Sequence, residues 1–159
     1  MRRLDKEITD NIIIDEILTK SKICRVAFFD SEFPYIVPFN YAYFDDELLF
    51  HSAKSGKKID LIKKNNNVCF EIEYYSQIIE DEQSCKWTTK YRSVIGFGEI
   101  DVLTNRDEKI RGLDAIMSHY GRTEGLIYNE KHLENIAILR LKIMKLSGKQ
   151  SGDWATEKK

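Results

Sequence analysis

The sequence has few of the residues on which metal centres and disulfide frameworks depend. Its 159 residues include three cysteines, three histidines and two prolines. Cys24, Cys69 and Cys85 lack the paired spacing of a zinc site or of a redox-active disulfide, so they predict free thiols in a reducing cytoplasm. No histidine falls in a metalloprotease motif and no serine in a hydrolase motif. The residues therefore predict no metal site and no catalytic triad.

Net charge and long apolar runs are also lacking. The 25 Lys and Arg residues against 26 Asp and Glu residues give a formal net charge of −1, which offers no general attraction to nucleic acid or to anionic lipid. No segment approaches the ~18 consecutive apolar residues of a membrane helix. The chain turns acidic at Asp5 without the apolar stretch of a secretion signal. We therefore expect a cytoplasmic protein with no nucleic-acid or membrane partner, although a local basic pocket is compatible with this balance.

What is present is the composition of a globular domain. Hydrophobic residues make up 42% of the chain and charged residues 32%, which are ordinary proportions for a folded protein. No internal repeat and no linker rich in proline, glycine or serine interrupts the chain. We predict one domain over residues 1–159, with 147–159 as a polar C-terminal tail.

Hydrophobic periodicity predicts more strands than helices. A first helix runs from Thr9 or Asp10 to about Ser21, and Thr104 or Asn105 caps another. The remaining predicted elements are strands at 22–29, 35–44, 47–52, 68–75, 87–103 and 136–146, with helices at 55–64 and 129–135. We expect the first three strands to form a meander, residues 76–85 to be a loop, and strand 87–103 to be single or broken at its glycines. The predicted fold is mainly β, an antiparallel barrel, closed or partly closed, with peripheral helices.

The segment 51–58 carries a pattern that favours phosphate binding. A strand ends at His51 and Ser52, a turn containing glycine follows, and a helix begins with Lys57 and Lys58. A helix N-terminus offers free N–H groups and a partial positive charge, where lysines are otherwise disfavoured. The alternative is a solvated helix face, and the residues alone support both equally. The spacing is not that of a P-loop.

Pro38 interrupts an otherwise regular strand pattern. Proline cannot donate to a strand ladder, so it marks an edge, a bulge or an opening. Backbone groups of the neighbouring Val37, Phe39 and Asn40 could face a ligand at such a break. An edge strand that resists aggregation is the simpler alternative.

Two glycines mark the segment 90–98. Gly96 and Gly98 permit close approach of another backbone or of a planar ligand. Arg92 can make paired hydrogen bonds to a phosphate. The alternative is a sharply bent barrel strand with an arginine on its surface.

Taken together, the segments 34–41, 50–58 and 91–98 resemble the pyridoxamine 5′-phosphate oxidase-like flavin-binding proteins. The closer resemblance is to the branch of 5-nitroimidazole resistance proteins, and it covers roughly residues 1–149. It implies a split β-barrel that binds FMN at a homodimer interface. One departure is that Arg140 and Leu141 continue directly into a strand, without the substrate-binding segment of the oxidase, which argues against oxidation of vitamin B6.

The resemblance also implies which residues meet the cofactor. Those bordering the flavin ring, partly through backbone groups, would be Val37, Pro38, Phe39 and Asn40. Those on the ribityl phosphate side would be His51, Ser52, Lys57 and Lys58. Those flanking the flavin from the neighbouring strand would be Tyr91, Arg92, Ser93 and Val94. His51 matches a histidine implicated in the activity of nitroimidazole-resistance relatives, and the tail with Trp154 would cover the partner's flavin.

Two functions follow from the resemblance. In the first, FMN accepts hydride from NAD(P)H and passes electrons to a small acceptor such as a nitroaromatic, with His51 as proton donor. In the second, the chain is a non-enzymatic flavin or heme binder that acts as a sensor, store or chaperone.

Overall fold

The computed structural model describes residues 3–154. Within this part of the chain, eight strands form one antiparallel sheet, flanked by four α-helices and two short 3₁₀ turns. The mainly β fold is therefore as predicted. The strands are β1 (Glu7–Ile8), β2 (Cys24–Phe28), β3 (Tyr35–Phe39), β4 (Tyr41–Phe44), β5 (Glu47–Ala53), β6 (Asn67–Ile79), β7 (Thr88–Leu103) and β8 (Ile136–Ser151). The helices are α1 (Asn11–Lys20), α2 (Lys57–Lys64), α3 (Arg106–His119) and α4 (Glu130–Asn135).

The sheet follows the order β3-β2-β6-β7-β8-β5-β4, and β1 pairs with β8. The two edge strands, β3 and β4, are consecutive in the chain and are joined by Asn40 alone. The sheet must therefore curl until its two edges meet at Asn40, where they are linked covalently rather than by a strand ladder. This arrangement is a split barrel.

The predicted meander is confirmed in its pairing of successive segments, but its middle strand 35–44 is not continuous and forms two strands. The first half of this strand pairs with β2 and its second half with β5, at opposite edges of the sheet. Pro38 lies in β3, an edge strand in the described sheet, where a missing N–H group costs no ladder bond. The edge-strand interpretation of Pro38 is thus confirmed.

Strand β7 is continuous, and its glycines serve packing inside the sheet. A Cβ atom on Gly96 would lie 2.3 Å from the ring of Phe70, and one on Gly98 would lie 2.1 Å from the backbone oxygen of Lys142. The register between β7 and β8 shifts next to Gly98. Both glycines therefore leave room for neighbouring protein atoms. Of the two uses predicted for them, the structure shows close approach of the protein itself.

Two polar segments are strand where the sequence predicts loop or tail. β6 continues to Ile79 and β8 continues to Ser151, because both stay paired with β7. Backbone pairing along a long central strand prevails there over local composition. The tail residues 155–159 lie outside the described residues.

The helices α1 and α2 lie near opposite ends of β2. α1 leads into β2 and contacts β6 and β7. α2 contacts β2, and its Lys57 forms an ion pair with Asp30, which lies just beyond the last residue of β2. We call these regions the α1 end and the α2 end. Between them lies a core of aromatic and aliphatic side chains such as Tyr41, Phe50 and Phe70. Among residues 3–154, no helix is long and apolar enough to cross a membrane.

Candidate functional site

The N-terminus of α2 differs from the other helix starts in the described structure. The side chains of Asp10, Asn105 and Asn129 accept hydrogen bonds from the first turns of α1, α3 and α4. At α2 the same position is Gly56, which has φ of 111° and no side-chain cap. A Cβ atom there would meet nothing within 4 Å. The N–H group of Ile59 bonds the Gly56 oxygen, and no side chain caps the N–H groups of Lys57 and Lys58 before it, an arrangement that suits a phosphate group.

Two lysines stand at this uncapped end. Lys57 Nζ lies 2.8 Å from Asp30 Oδ2 and 4.8 Å from the centre of the Tyr35 ring. Lys58 Nζ lies 5.9 Å from the ring centre of Phe39. The hydrogen bond between Lys57 and Asp30 lowers the pKa of Asp30 and raises that of Lys57. Exposed ion pairs of this kind stabilise a fold little, so an incoming phosphate could displace Asp30 from Lys57.

A groove of about 880 Å³ opens beside the same carboxylate. Asp30 lines it, together with Phe29, Cys69, Phe97 and Met144. We call it the outer groove, because Cys69 and Phe97 are cross-strand neighbours on the outer face of the sheet. Phe97 is 53% exposed and Met144 65% exposed. A groove of this size with exposed apolar walls is typical of a ligand or protein contact.

On β3 the predicted ring-bordering residues divide between the two faces of the sheet. Val37 and Phe39 point inward, and the Phe39 ring packs 4.9 Å from that of Phe50. Pro38 and Asn40 are exposed. Lys58 reaches Phe39, so the structure brings this strand and the N-terminus of α2 together as predicted.

On β5 the predicted phosphate-side residues also separate. His51 is exposed and faces Ile138 across the ladder to β8. Ser52 is buried, and its hydroxyl donates to the backbone oxygen of Ala53 at 3.0 Å. No contact among the described residues joins His51 to Lys57, so its role at the site stays a prediction.

The predicted β7 residues lie at the α1 end. Val94 is fully buried in the core, while Tyr91 and Ser93 are half-buried. Arg92 donates to Glu16 and to Gln150, each at 3.2 Å. These contacts belong to one chain, and among the described residues none connects Arg92 with the lysines of α2. A cofactor contact by this segment therefore stays a prediction.

Trp154 packs on its own chain. Its ring centre lies 4.0 Å from the guanidinium carbon of Arg92 and 4.4 Å from Lys90 Nζ. The Tyr75 ring packs against it from β6 at 5.3 Å. Coverage of a partner's flavin by Trp154 stays a prediction.

Tyr120 is a site residue that the sequence did not single out. Its hydroxyl donates to the backbone oxygen of Lys22 at 2.5 Å and accepts from Asn40 Nδ2 at 3.1 Å and from Tyr41 N at 3.2 Å. It thereby fixes the residue at which the two sheet edges meet. In the sequence, Tyr120 falls at the helical spacing of the apolar residues of α3. That spacing predicts a side chain packed in the core rather than one with a hydrogen-bonding role.

His119 stands next to this junction at the C-terminus of α3. Its Nε2 lies 2.7 Å from the backbone oxygen of Ser21. Burial lowers its pKa, so the ring is neutral at pH 7. A carbonyl oxygen can only accept, so Nε2 carries the ring proton. Residues 3–154 contain no cluster of three His, Cys, Asp or Glu side chains able to hold a metal ion.

The sequence profile of pyridoxamine 5′-phosphate oxidase matches residues 10–150. This chain belongs to the pyridoxamine 5′-phosphate oxidase-like family. The resemblance drawn from the three sequence segments is therefore confirmed.

Solved structures agree with this family. A candidate 5-nitroimidazole antibiotic resistance protein from Bacteroides thetaiotaomicron is 29% identical, with a TM-score of 0.80 over 90% of this chain and 85% of that one. The FAD- and heme-binding protein from Mycobacterium smegmatis is 24% identical, with a TM-score of 0.84 over 94% of this chain and 75% of that one. The flavocytochrome Anf3 from Azotobacter vinelandii is 17% identical, with a TM-score of 0.84 over 96% and 72%. The last two show the fold alone. No curated protein matched the sequence.

Proposed function

We propose that this chain binds FMN and uses NAD(P)H to reduce a small acceptor such as a nitroaromatic compound. The observation that carries the proposal is the uncapped N-terminus of α2, with Lys57 and Lys58, next to the apolar outer groove. The relative from Bacteroides thetaiotaomicron, which is described as a 5-nitroimidazole resistance protein, supports the choice of acceptor. We place this activity in the cytoplasm, in keeping with cysteines that are free in the described structure.

The chain's residues fit the phosphate group of FMN. Lys57 and Lys58 supply two positive charges, and the N–H groups of the first turn of α2 supply donors without a competing cap. Asp30 pairs with Lys57, and the phosphate group of bound FMN would take its place. The outer groove offers apolar surface for a flat ring, and bound FMN would supply hydride acceptance and electron transfer.

His51 is proposed as the proton donor to the reduced acceptor. Its side chain is exposed on β5 and can exchange a proton with solvent between turnovers. A positioned general acid contributes about 10²–10⁴-fold to such a step. The hypothesis requires that the acceptor bind within reach of this imidazole.

We further propose that a second copy of the chain covers the outer sheet face and completes the site. Ile36, Ile95, Phe97 and Met144 on this face are between 46% and 65% exposed. Apolar side chains grouped in this way mark an interface more often than a free surface. A Phe97→Glu variant should run as a monomer in light scattering, whereas a dimeric variant would exclude this face.

A non-enzymatic flavin or heme binder is the second candidate. It is favoured by the neighbours from Mycobacterium smegmatis and Azotobacter vinelandii, which are described as an FAD- and heme-binding protein and as a flavocytochrome. The same α2 end would hold the cofactor, and no catalytic residue would be required.

A spectroscopic experiment separates the two candidates. The purified protein is loaded with FMN and mixed anaerobically with NADH and then with NADPH, while flavin absorbance is followed. We expect bleaching with at least one donor and recovery on addition of a 5-nitroimidazole. Flavin that binds but stays oxidised with both donors would favour the non-enzymatic binder.

The role of His51 has its own control. At saturating FMN, His51→Ala should slow turnover of the nitro compound by about 10²-fold or more. His132→Ala is the matched variant, because this histidine is also exposed, lies on α4 and belongs to none of the three segments that resemble the family. Equal turnover in both variants would remove His51 from the mechanism.

A further inference from the structure

A second cavity, of about 840 Å³, lies between β4, α3 and the segment that follows α3. It shares no lining residue with the outer groove. Its walls include the aromatic side chains Tyr43, Phe44 and Tyr128, and its polar lining includes Arg111 and Asp114. The function proposed above leaves this cavity without a role.

The aromatic walls are effectively apolar. The Tyr43 hydroxyl donates to Asp46 Oδ1 and the Tyr128 hydroxyl donates to Asp114 Oδ1, each at 2.8 Å. Burial, together with these acceptors, raises the pKa of both tyrosines to about 12, so both are neutral at pH 7. With their hydroxyl protons engaged, the rings present faces suited to stacking on a flat ligand.

The charged groups of the cavity are only partly used. Arg111 is exposed, and among the described residues no ion pair or hydrogen bond engages its guanidinium. Asp114 stands three residues further along α3, on the same face of the helix, and Tyr128 occupies one of its oxygens. A planar guanidinium matches a carboxylate in geometry and charge. The second oxygen of Asp114 can accept a further N–H or O–H donor.

We propose that this cavity binds a small aromatic carboxylate that carries one hydrogen-bond donor on its ring. The ligand ring would lie against the tyrosine and phenylalanine walls, its carboxylate on Arg111 and its donor on Asp114. The cavity volume falls within the range of small-molecule sites. This site is independent of the FMN site, so it can exist whether or not the chain is a reductase.

Calorimetry with a matched pair of probes tests the proposal. The probes are 4-hydroxybenzoate and its neutral analogue 4-hydroxybenzamide, titrated into the full chain without FMN. We expect the carboxylate to bind about tenfold or more tightly than the amide, since charge-assisted hydrogen bonds are the stronger class. Arg111→Gln should abolish this preference. Arg106→Gln is the control, because Arg106 lies on the same helix, pairs with Glu130 and does not line the cavity.

Amide chemical shifts then locate the bound probe. Perturbations confined to residues 110–128 together with β4 support the proposal. Perturbations around Asp30 and Phe97 would place the probe in the outer groove and overturn it. Absence of saturable binding at low-millimolar concentration, equal binding of the two probes, or an unchanged preference in Arg111→Gln would each overturn it as well.

Discussion

Each end of the barrel carries a positively charged side chain, but the two side chains differ in how firmly the fold holds them. At the α1 end, Arg92 is held by Glu16, by Gln150 and by the Trp154 ring, and its side chain is 12% exposed. At the α2 end, Lys57 is 56% exposed and, within residues 3–154, contacts Asp30 and the Tyr35 ring alone. One cation is part of the folded structure, whereas the other is available to a ligand.

The helix starts show the same difference. α1 begins with the carboxylate of Asp10 accepting from the N–H group of Ile12, so a side chain of the chain itself satisfies one of its first donors. α2 begins at a glycine that has no side chain to act as a cap, and only its backbone oxygen accepts, from the N–H groups of Ile59 and Asp60. Since unsatisfied helix donors are a cost unless water or a ligand meets them, the α2 end is the place where an anion adds most. The charges in the sequence do not show which helix start is open to an anion. The hydrogen-bond partners in the structure do.

The largest expected effect is on FMN binding at the α2 end. The double change Lys57→Ala with Lys58→Ala should weaken FMN affinity by about 10²-fold or more, since each charge-assisted phosphate bond contributes roughly 1.5–3 kcal/mol. Fluorescence quenching of the flavin measures this directly. Lys63→Ala with Lys64→Ala removes two exposed lysines from the last turn of the same helix and should leave affinity near that of the unchanged protein. Equal loss in both pairs would mean that the effect is general electrostatics.

At the α1 end the expected effect is on stability instead. Arg92→Leu leaves Gln150 without this donor and leaves Glu16 with Lys20 alone, and it should lower the free energy of unfolding by about 2 kcal/mol. Arg25→Leu is the control, because the Arg25–Glu71 pair is exposed and should cost less than about 1 kcal/mol. Urea denaturation gives both values. If Arg92→Leu mainly weakens FMN binding and leaves stability intact, the family assignment of this arginine to the cofactor is correct and the contrast between the ends fails.

Tyr120 tests whether the sheet junction supports the site. Tyr120→Phe removes the hydroxyl that bonds Lys22, Asn40 and Tyr41. It should lower the free energy of unfolding by about 1–2 kcal/mol. Tyr75→Phe is the matched variant, because in the described part of the chain the Tyr75 hydroxyl bonds the exposed Gln77 alone. Hydrogen exchange at the Tyr41 amide should accelerate in the first variant alone. Unchanged exchange there would show that the junction is held by packing.

The sequence predicted the elements well where periodicity is strong, and less well where pairing decides. The first helix and its Asp10 cap were predicted almost to the residue, because the cap and the isoleucine spacing are local signals. The split of strand 35–44 at Asn40 was not, because it depends on which distant strands pair with each half. The long paired ends of β6 and β8 were missed for the same reason.

The candidate site divides in a similar way. The lysines of α2 were predicted from a local pattern of glycine and charge, and the structure places them at an uncapped helix start beside a groove. The burial of Arg92 could not be predicted, because its partners Glu16 and Gln150 are 76 and 58 residues away in the chain. Tyr120 was missed because a tyrosine on an apolar stripe gives no sign of the three backbone and amide groups that it will meet.

The smallest expected effect concerns pH and the α1 end. Burial lowers the pKa of His119 below its ordinary value of 6.5, and Lys22 nearby adds to this. The unfolded chain therefore binds a proton more readily than the folded one, so stability is full above about pH 6.5 and falls as the pH drops through that value. His119→Gln keeps an N–H donor for Ser21 but does not titrate, so its decline on acidification should be shallower. His132→Gln should retain the full decline, because that histidine is exposed. Urea midpoints measured at about pH 7.5 and about pH 5.5 compare the three proteins, and parallel curves would assign the acid sensitivity to groups outside the α1 end.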